Sequence, residues 1–151
     1  MQDVAERTEP GLTGLDGMLR LLRASLRALE PDCLTAEEAL RLVSLFAQGE
    51  RLCQAGKALA ARRVEETQCW RRDGHRSAAH FLAAATASPV GEAVAVLETA
   101  RRLEDLPATA DALRDGRLSA VQAREIASAA AAVPEVEACC WRRPAARLFP
   151  S

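Results

Sequence analysis

Apolar residues recur along the first half of the chain at steps of three and four, the spacing of one face of an α-helix. In the first such segment these positions are Leu15, Met18, Leu19, Leu22, Leu26 and Leu29, and Pro31 closes the segment. A second pattern runs from Thr35 toward Trp70, and Thr35 with Glu38 has the spacing of a capping box, which marks a helix start. The pattern therefore predicts two long amphipathic helices.

The second of these helices contains a strip of small residues. Gly49, Cys53, Gly56 and Ala60 follow one another at four, three and four residues, so they share a face on which another helix can approach closely. Alternatively, one of the glycines breaks the helix in two, since glycine is a poor helix former. The sequence leaves both interpretations open.

Shorter helices are predicted after Trp70. Ser77 is placed to cap a helix over residues 78–85. Ser88 and Pro89 begin the next one, which continues at helical spacing to Leu106.

Two further helices follow, and their ends are marked by proline, glycine and capping residues. Pro107 ends the preceding helix and begins a short one that Gly116 closes in the left-handed conformation. Ser119 with Gln122 forms a second capping box, and Pro134 ends the last helix. We expect an all-α fold, a compact bundle of about six or seven helices.

The helices over residues 78–85 and 89–103 have the proportions of a helix-turn-helix pair, in which the second helix enters the major groove of DNA. That second helix has no Arg, Lys, Asn or Gln near its start to read base edges, and Glu92 repels phosphate. Contacts to the phosphate backbone are the better prediction. The candidates for DNA contact are Arg71, Arg72, Arg76, Ser88, Arg101 and Arg102. The alternative is a purely structural helix pair with solvated arginines.

The composition of the chain restricts how it can bind DNA. The net charge is −1 and the pI about 6.2, so the chain as a whole has no field that attracts polyanions, and any DNA binding must be local.

We expect a flexible lead-in over residues 1–11, one helical domain over residues 12–137 and an irregular basic tail over residues 138–151. The start of the chain does not have the composition of a signal peptide, and the five cysteines have no framework spacing, which predicts a cytoplasmic protein with reduced thiols.

Signs of catalysis are weak. Cys69, His75 and His80 match no zinc-binding spacing, and no nucleophile elbow or phosphate-binding glycine loop occurs. We therefore predict no catalytic residue, no metal, no cofactor and no small-molecule substrate.

Two stretches carry a family resemblance, WRRDGHRSAAHFL from Trp70 and TARRLEDLPATADALRDGRLSAVQAREIA from Thr99. They resemble domain of unknown function 222, an actinobacterial helical family usually fused to a C-terminal HNH endonuclease. The matching positions are Trp70, Gly74, Ser77, Leu82, Leu106, Pro107, Leu113, Gly116, Ser119, Ala123 and Ile126. The run after Leu106 is also distantly similar to that following the DNA-reading helix of ParB-type partition proteins.

The resemblance implies a nuclease that these 151 residues do not encode, because an HNH site needs histidines and an asparagine, whereas the chain has two histidines and no asparagine. Residues 138–151 contain three arginines, adjacent cysteines and no acid. One hypothesis is a truncated or frameshifted member whose tail is translated out of frame. The other is a genuine short paralogue with a basic tail.

Two functions from different classes follow. The first is a non-catalytic, DNA-associated module that positions a nuclease in an intact relative. The second is an oligomerisation or protein-interaction module, including a homodimer, in which the glycine strip and the leucine face of residues 18–29 bury against a partner. Neither involves a membrane.

Overall fold

The computed structural model describes residues 3–132, and for residues 3–11 it describes the backbone alone. Within this part of the chain all regular structure is helical. The α-helices are α1 (Asp3–Arg27), α2 (Ala36–Thr67), α3 (Ala78–Thr86), α4 (Val90–Arg102), α5 (Pro107–Arg114) and α6 (Ala120–Ala132). Three 3-10 helices lie at Pro31–Cys33, Cys69–Arg71 and Leu103–Asp105. The predicted all-α fold is confirmed.

The chain divides into two compact units, Met1–Val43 and Ser44–Ser151. The first unit contains α1, the 3-10 helix at Pro31–Cys33 and the first turns of α2. The second contains the rest of α2 and the four shorter helices. No single helix in the described residues has the length and apolarity to cross a membrane, and only the bent pair of α3 and α4 passes that test jointly.

Both predicted capping boxes are present. At the start of α2 the Glu38 N–H donates to Thr35 Oγ1 over 3.3 Å, and the Thr35 N–H donates to Glu38 Oε2 over 2.9 Å. At the start of α6 the Gln122 N–H donates to Ser119 Oγ over 3.1 Å, and the Ser119 N–H donates to Gln122 Oε1 over 2.9 Å. Each pair satisfies backbone donors that a helix start leaves without partners.

Helix α2 is continuous through both of its glycines, so the interpretation that one of them breaks the helix is wrong. The interpretation that another helix approaches this strip closely also lacks support within the described residues. Cys53, Gly56 and Ala60 are exposed, and a Cβ added at Gly49 or Gly56 would meet no atom within 4 Å. Three of the four residues of the strip are therefore exposed, and Gly49 is half-buried.

The buried face of α2 consists of alanines. Ala55, Ala58 and Ala61 are buried, whereas the larger Leu52 and Leu59 are more than 40% exposed. Small side chains let the backbones of neighbouring helices approach closely, so the core contacts fall on residues that a search for large apolar side chains passes over.

Two clusters of buried residues lie in the second unit. The first joins α2, α3 and α4 through Ala61, Ala78, Ala79, Leu82, Ala83, Ala93 and Leu97, and Trp70 packs against it. The second joins α2, α5 and α6 through Ala55, Leu103, Leu113 and Ala123. Together they fix the four short helices against the end of α2.

The predictions for the two ends of the chain are tested only in part. The backbone of α1 is helical from Asp3, earlier than the pattern predicts, and the flexibility of residues 1–11 stays a prediction. Helix α6 is described to Ala132, so the stop expected at Pro134 and the tail over residues 138–151 lie outside the described residues.

Candidate nucleic-acid interface

Helices α3 and α4 form a bent pair, as the sequence predicts. Their axes change direction by 116° across a break of three residues, within the range of helix-turn-helix motifs. The Ser77 hydroxyl caps α3 by accepting from the His80 N–H over 3.3 Å. At the other end of α3, Ala87 takes the left-handed conformation at φ 51°, and the Ser88 N–H returns to the Ala83 carbonyl oxygen over 3.1 Å.

The turn between the two helices is only partly evident from the sequence. A left-handed residue at a helix end is usually glycine, because a side chain there is strained. Here it is Ala87, and the burial of Leu82 and Ala83 against Ala93 and Leu97 holds the turn in place. A search for glycine does not find such a turn.

Three of the six candidate DNA contacts lie together in the segment that leads into α3. Arg71 ends a 3-10 helix and places its guanidinium carbon 5.2 Å from the centroid of the Trp70 ring. Arg72 and Arg76 are exposed, and within the described residues neither side chain forms a hydrogen bond or an ion pair. Gly74, at φ 74°, makes the turn between them. We call Arg71, Arg72 and Arg76 the arginine loop.

Arg101 has a partner inside the protein. Its Nε donates to Glu65 Oε2 over 2.8 Å, and its Nη2 contacts Glu65 Oε1, so the two side chains form a bidentate pair between α4 and α2. The hydrogen bonds from Arg101 hold the pKa of Glu65 below its usual range, against a smaller opposing effect of burial. The Arg101 charge is therefore largely neutralised within the protein.

The remaining candidates are also partly engaged. Arg102 Nη1 donates to Ser128 Oγ on α6 over 3.3 Å. The Ser88 and Thr86 hydroxyl oxygens lie 2.8 Å apart, and Ser88 is half-buried. Val90, Gly91 and Glu92 at the start of α4 are exposed, so the structure presents no base-reading side chain there.

A second ion-pair cluster lies beside Arg101. Arg62 Nε contacts Glu104 Oε1 at 2.6 Å, and its terminal nitrogens lie 3.5 Å from Glu65 and Glu66. The hydrogen bond from Arg62 lowers the pKa of Glu104 and, in turn, raises that of Arg62. Sequence spacing indicates the pairs within α2, but the links to Glu104 and Arg101 connect distant residues, and no local pattern points to them.

The histidines and Cys69 have separate partners. His80 Nδ1 lies 2.8 Å from the Ser77 hydroxyl, His75 packs edge-on against Phe81 at 5.4 Å, and the Cys69 thiol points to the Val64 carbonyl oxygen at 3.9 Å. No group of three metal-ligating side chains occurs between residues 12 and 132, the stretch whose side chains are described.

Two clefts open on the second unit. One, of about 140 Å³, is lined by Lys57, Glu92, Thr99 and Arg124, among others. The other, of about 200 Å³, lies beside the Arg62–Glu104 pair. Small-molecule sites typically occupy roughly 300–1,000 Å³, so neither cleft has the dimensions of a substrate pocket.

Comparison with known protein families matches residues 39–147 to the family described as Domain of unknown function (DUF222). The matched residues make up more than two thirds of the chain. The chain belongs to the DUF222 family. The resemblance noted in the sequence is thereby confirmed, and the match extends to residue 147, past the boundary at 137 that the sequence pattern predicts. No curated protein and no solved structure matches the chain.

Membership in DUF222 supplies a fold context without an assigned reaction. The matched residues contain most of α2 and all of α3 to α6, including the arginine loop and the bent helix pair. Helix α1 precedes the match. What these elements do must therefore be inferred from their own geometry.

Proposed function

We propose that this DUF222 chain is a non-catalytic helical module that holds duplex DNA by its phosphate backbone in the cytoplasm, through the arginine loop and the α3–α4 pair. In the family context that its sequence resembles, such a module places an HNH endonuclease on DNA. The observation that carries the proposal is the 116° bend of the pair, with the arginine loop immediately before its first helix.

The placement of the arginines fits a phosphate contact. In helix-turn-helix proteins the first helix crosses the DNA backbone while the second lies in the major groove. The arginine loop precedes α3, the helix in the first position, and Arg72 and Arg76 have no partner in the described residues that competes for their guanidinium groups. Guanidinium groups bind phosphate oxygens through paired hydrogen bonds.

The same geometry argues against sequence-specific reading. The start of α4 presents Val90, Gly91 and Glu92, which supply no donor for a base edge. Glu65 holds Arg101, which leaves that side chain to fix α4 rather than to contact DNA. The expected mode is therefore weak, salt-dependent binding with little preference for sequence, because backbone contacts carry no direct sequence information.

The direct test is the triple variant R71Q/R72Q/R76Q, which removes the arginine loop's charge while leaving the Gly74 turn intact. Binding to a fluorescein-labelled duplex of mixed sequence is followed by anisotropy at about 50 mM salt. We expect the variant to bind at least about tenfold more weakly than the parent chain, because three phosphate contacts are lost.

The matched control is R41Q/R63Q/R114Q, which removes the same charge from exposed positions outside the loop. Its affinity should stay within about twofold of the parent, since in the proposed binding mode these three arginines contact no phosphate. An equal loss in both triple variants would mean that the binding reflects overall charge alone, and that result, or no binding by the parent chain, would contradict the proposal.

A further inference from the structure

Helix α1 carries a continuous seam of leucines at alternating steps of three and four residues. The leucine seam consists of Leu12, Leu15, Leu19, Leu22, Leu26 and Leu29. This is the heptad spacing of the two core positions in a coiled coil. The first five leucines are 38–60% exposed and Leu29 is half-buried, and no described side chain of α1 is buried.

The seam runs along the described helix and ends two residues beyond it. After Arg27 the Ala28 N–H still donates to the Ala24 carbonyl oxygen over 3.1 Å, and the Leu29 N–H donates to the Leu26 carbonyl oxygen over 3.4 Å. Leu29 therefore continues the same face as the preceding leucines. An apolar stripe of this length on a soluble helix marks a surface that another helix covers.

The charged residues beside the leucine seam indicate which helix covers it and in which direction that helix runs. Asp16 and Arg23 follow Leu15 and Leu22 directly, so they lie on the same flank of the seam, and neither forms an ion pair within the described residues. Between Leu12 and Leu29 this flank of the seam thus carries one negative and one positive charge, seven residues apart, and Glu30 follows directly after Leu29. The Asp16 and Arg23 pair is complementary to the same pair in a second copy that runs in the opposite direction.

We propose that the chain forms a twofold-symmetric dimer in which the α1 helices of two copies pack as an antiparallel coiled coil along the leucine seam. With Leu12 opposite Leu29 of the second copy, all six leucines find a leucine partner. This register brings Asp16 opposite Arg23 of the second copy, and the twofold axis repeats the pair.

The parallel arrangement does not give this match. In a parallel coiled coil the flanking position of Arg23 meets Met18 of the second copy, so no opposite charges meet across the interface. Antiparallel pairing is the orientation in which both the leucines and the charges are satisfied. The dimer contact lies outside residues 39–147, so family membership alone does not reveal it.

Two leucines of α1 provide a matched test. Leu19 lies at the centre of the seam, whereas Leu21 lies off it and is 72% exposed. Sedimentation equilibrium of the full chain should give twice the mass of the 16.2 kDa monomer. Leu19→Asp should raise the dimer Kd at least about 100-fold, since a carboxylate would be buried in the seam, while Leu21→Asp should change it less than about threefold.

A charge exchange tests the orientation. Asp16→Arg and Arg23→Asp should each weaken the dimer by about three- to tenfold, because each places like charges opposite one another, and the double variant D16R/R23D should return the Kd to within about twofold of the parent. Circular dichroism checks that each variant retains its helix content.

The remaining outcomes overturn the proposal. They are a monomer at concentrations on the order of 100 µM, equal effects of Leu19→Asp and Leu21→Asp, and a double charge variant no tighter than the single ones.

Discussion

Gly116 takes a conformation that other residues reach only with strain. Its φ is 67°, and a Cβ there would lie 3.0 Å from Leu52 Cδ2. Its carbonyl oxygen accepts from Arg51 Nε over 2.7 Å. We expect Gly116→Ala to lower the free energy of unfolding by about 1–3 kcal/mol, measured by urea denaturation.

Gly56→Ala is the control for this substitution. Gly56 is helical and an added Cβ meets no atom within 4 Å, so alanine should stabilise α2 by up to about 1 kcal/mol. If both alanine variants shifted stability in the same direction, the assigned role of the left-handed turn would be wrong.

Four residues at positive φ show which turns can be predicted from the local sequence. Gly74 and Gly116 lie at positive φ, and each follows an aspartate, a dipeptide that is typical of turns. Gln68 and Ala87 lie at positive φ as well, yet neither residue type favours that conformation. The local sequence therefore does not reveal these two turns.

At the scale of the helices, the Glu65–Arg101 pair couples α2 to α4 and makes stability depend on pH. The lowered pKa of Glu65 means that its contribution is present above the pKa of the unfolded chain and is lost as pH falls through the folded value. Glu65→Gln should therefore lower stability at neutral pH by at most about 1 kcal/mol, since half of the Arg101 side chain is exposed.

The difference between Glu65→Gln and the parent chain should shrink as the pH falls below the usual glutamate pKa of about 4.3, and it should disappear once the pH lies below the lowered pKa of the folded state. Urea denaturation at several pH values measures it. Glu66→Gln is the matched control, because among the described residues Glu66 pairs only with arginines of its own helix. A pH-independent effect of Glu65→Gln would contradict the assigned role of the ion pair.

Helix packing rests on alanines with no room around them. Ala123 on α6 is 0% exposed and belongs to the cluster with Ala55 and Leu113. Ala123→Leu should lower the free energy of unfolding by about 1–3 kcal/mol through overpacking, whereas Ala129→Leu, at an exposed position of the same helix, should be nearly neutral. Thermal unfolding of the two variants compares them, and equal melting temperatures would rule out tight packing at Ala123.

For the whole molecule, the sequence reveals the helices far better than their contacts. Thr35, Ser77, Pro107 and Ser119 mark helix starts through local hydrogen bonds and fixed backbone angles, so the starts of α2, α3, α5 and α6 follow closely from them. The buried face of α2 does not, because alanine carries a weak hydrophobic pattern.

In the candidate interface, too, the local features are visible in the sequence and the long-range contacts are not. The bent pair and the arginine loop are visible in the sequence because they depend on neighbouring residues. The pairing of Arg101 with Glu65 depends on residues 36 positions apart, so the sequence does not distinguish this arginine from Arg72 or Arg76. Ion pairs that form on folding therefore reduce the number of arginines that are free to contact DNA.

The salt dependence of duplex DNA binding tests the central claim most directly. If the arginine loop contacts three phosphates, the logarithm of the association constant should fall with the logarithm of salt concentration at a slope of about −2.7 between roughly 50 and 200 mM. The slope should approach zero in R71Q/R72Q/R76Q. An undetectable interaction, or a slope that the triple variant leaves unchanged, would contradict DNA binding through this loop.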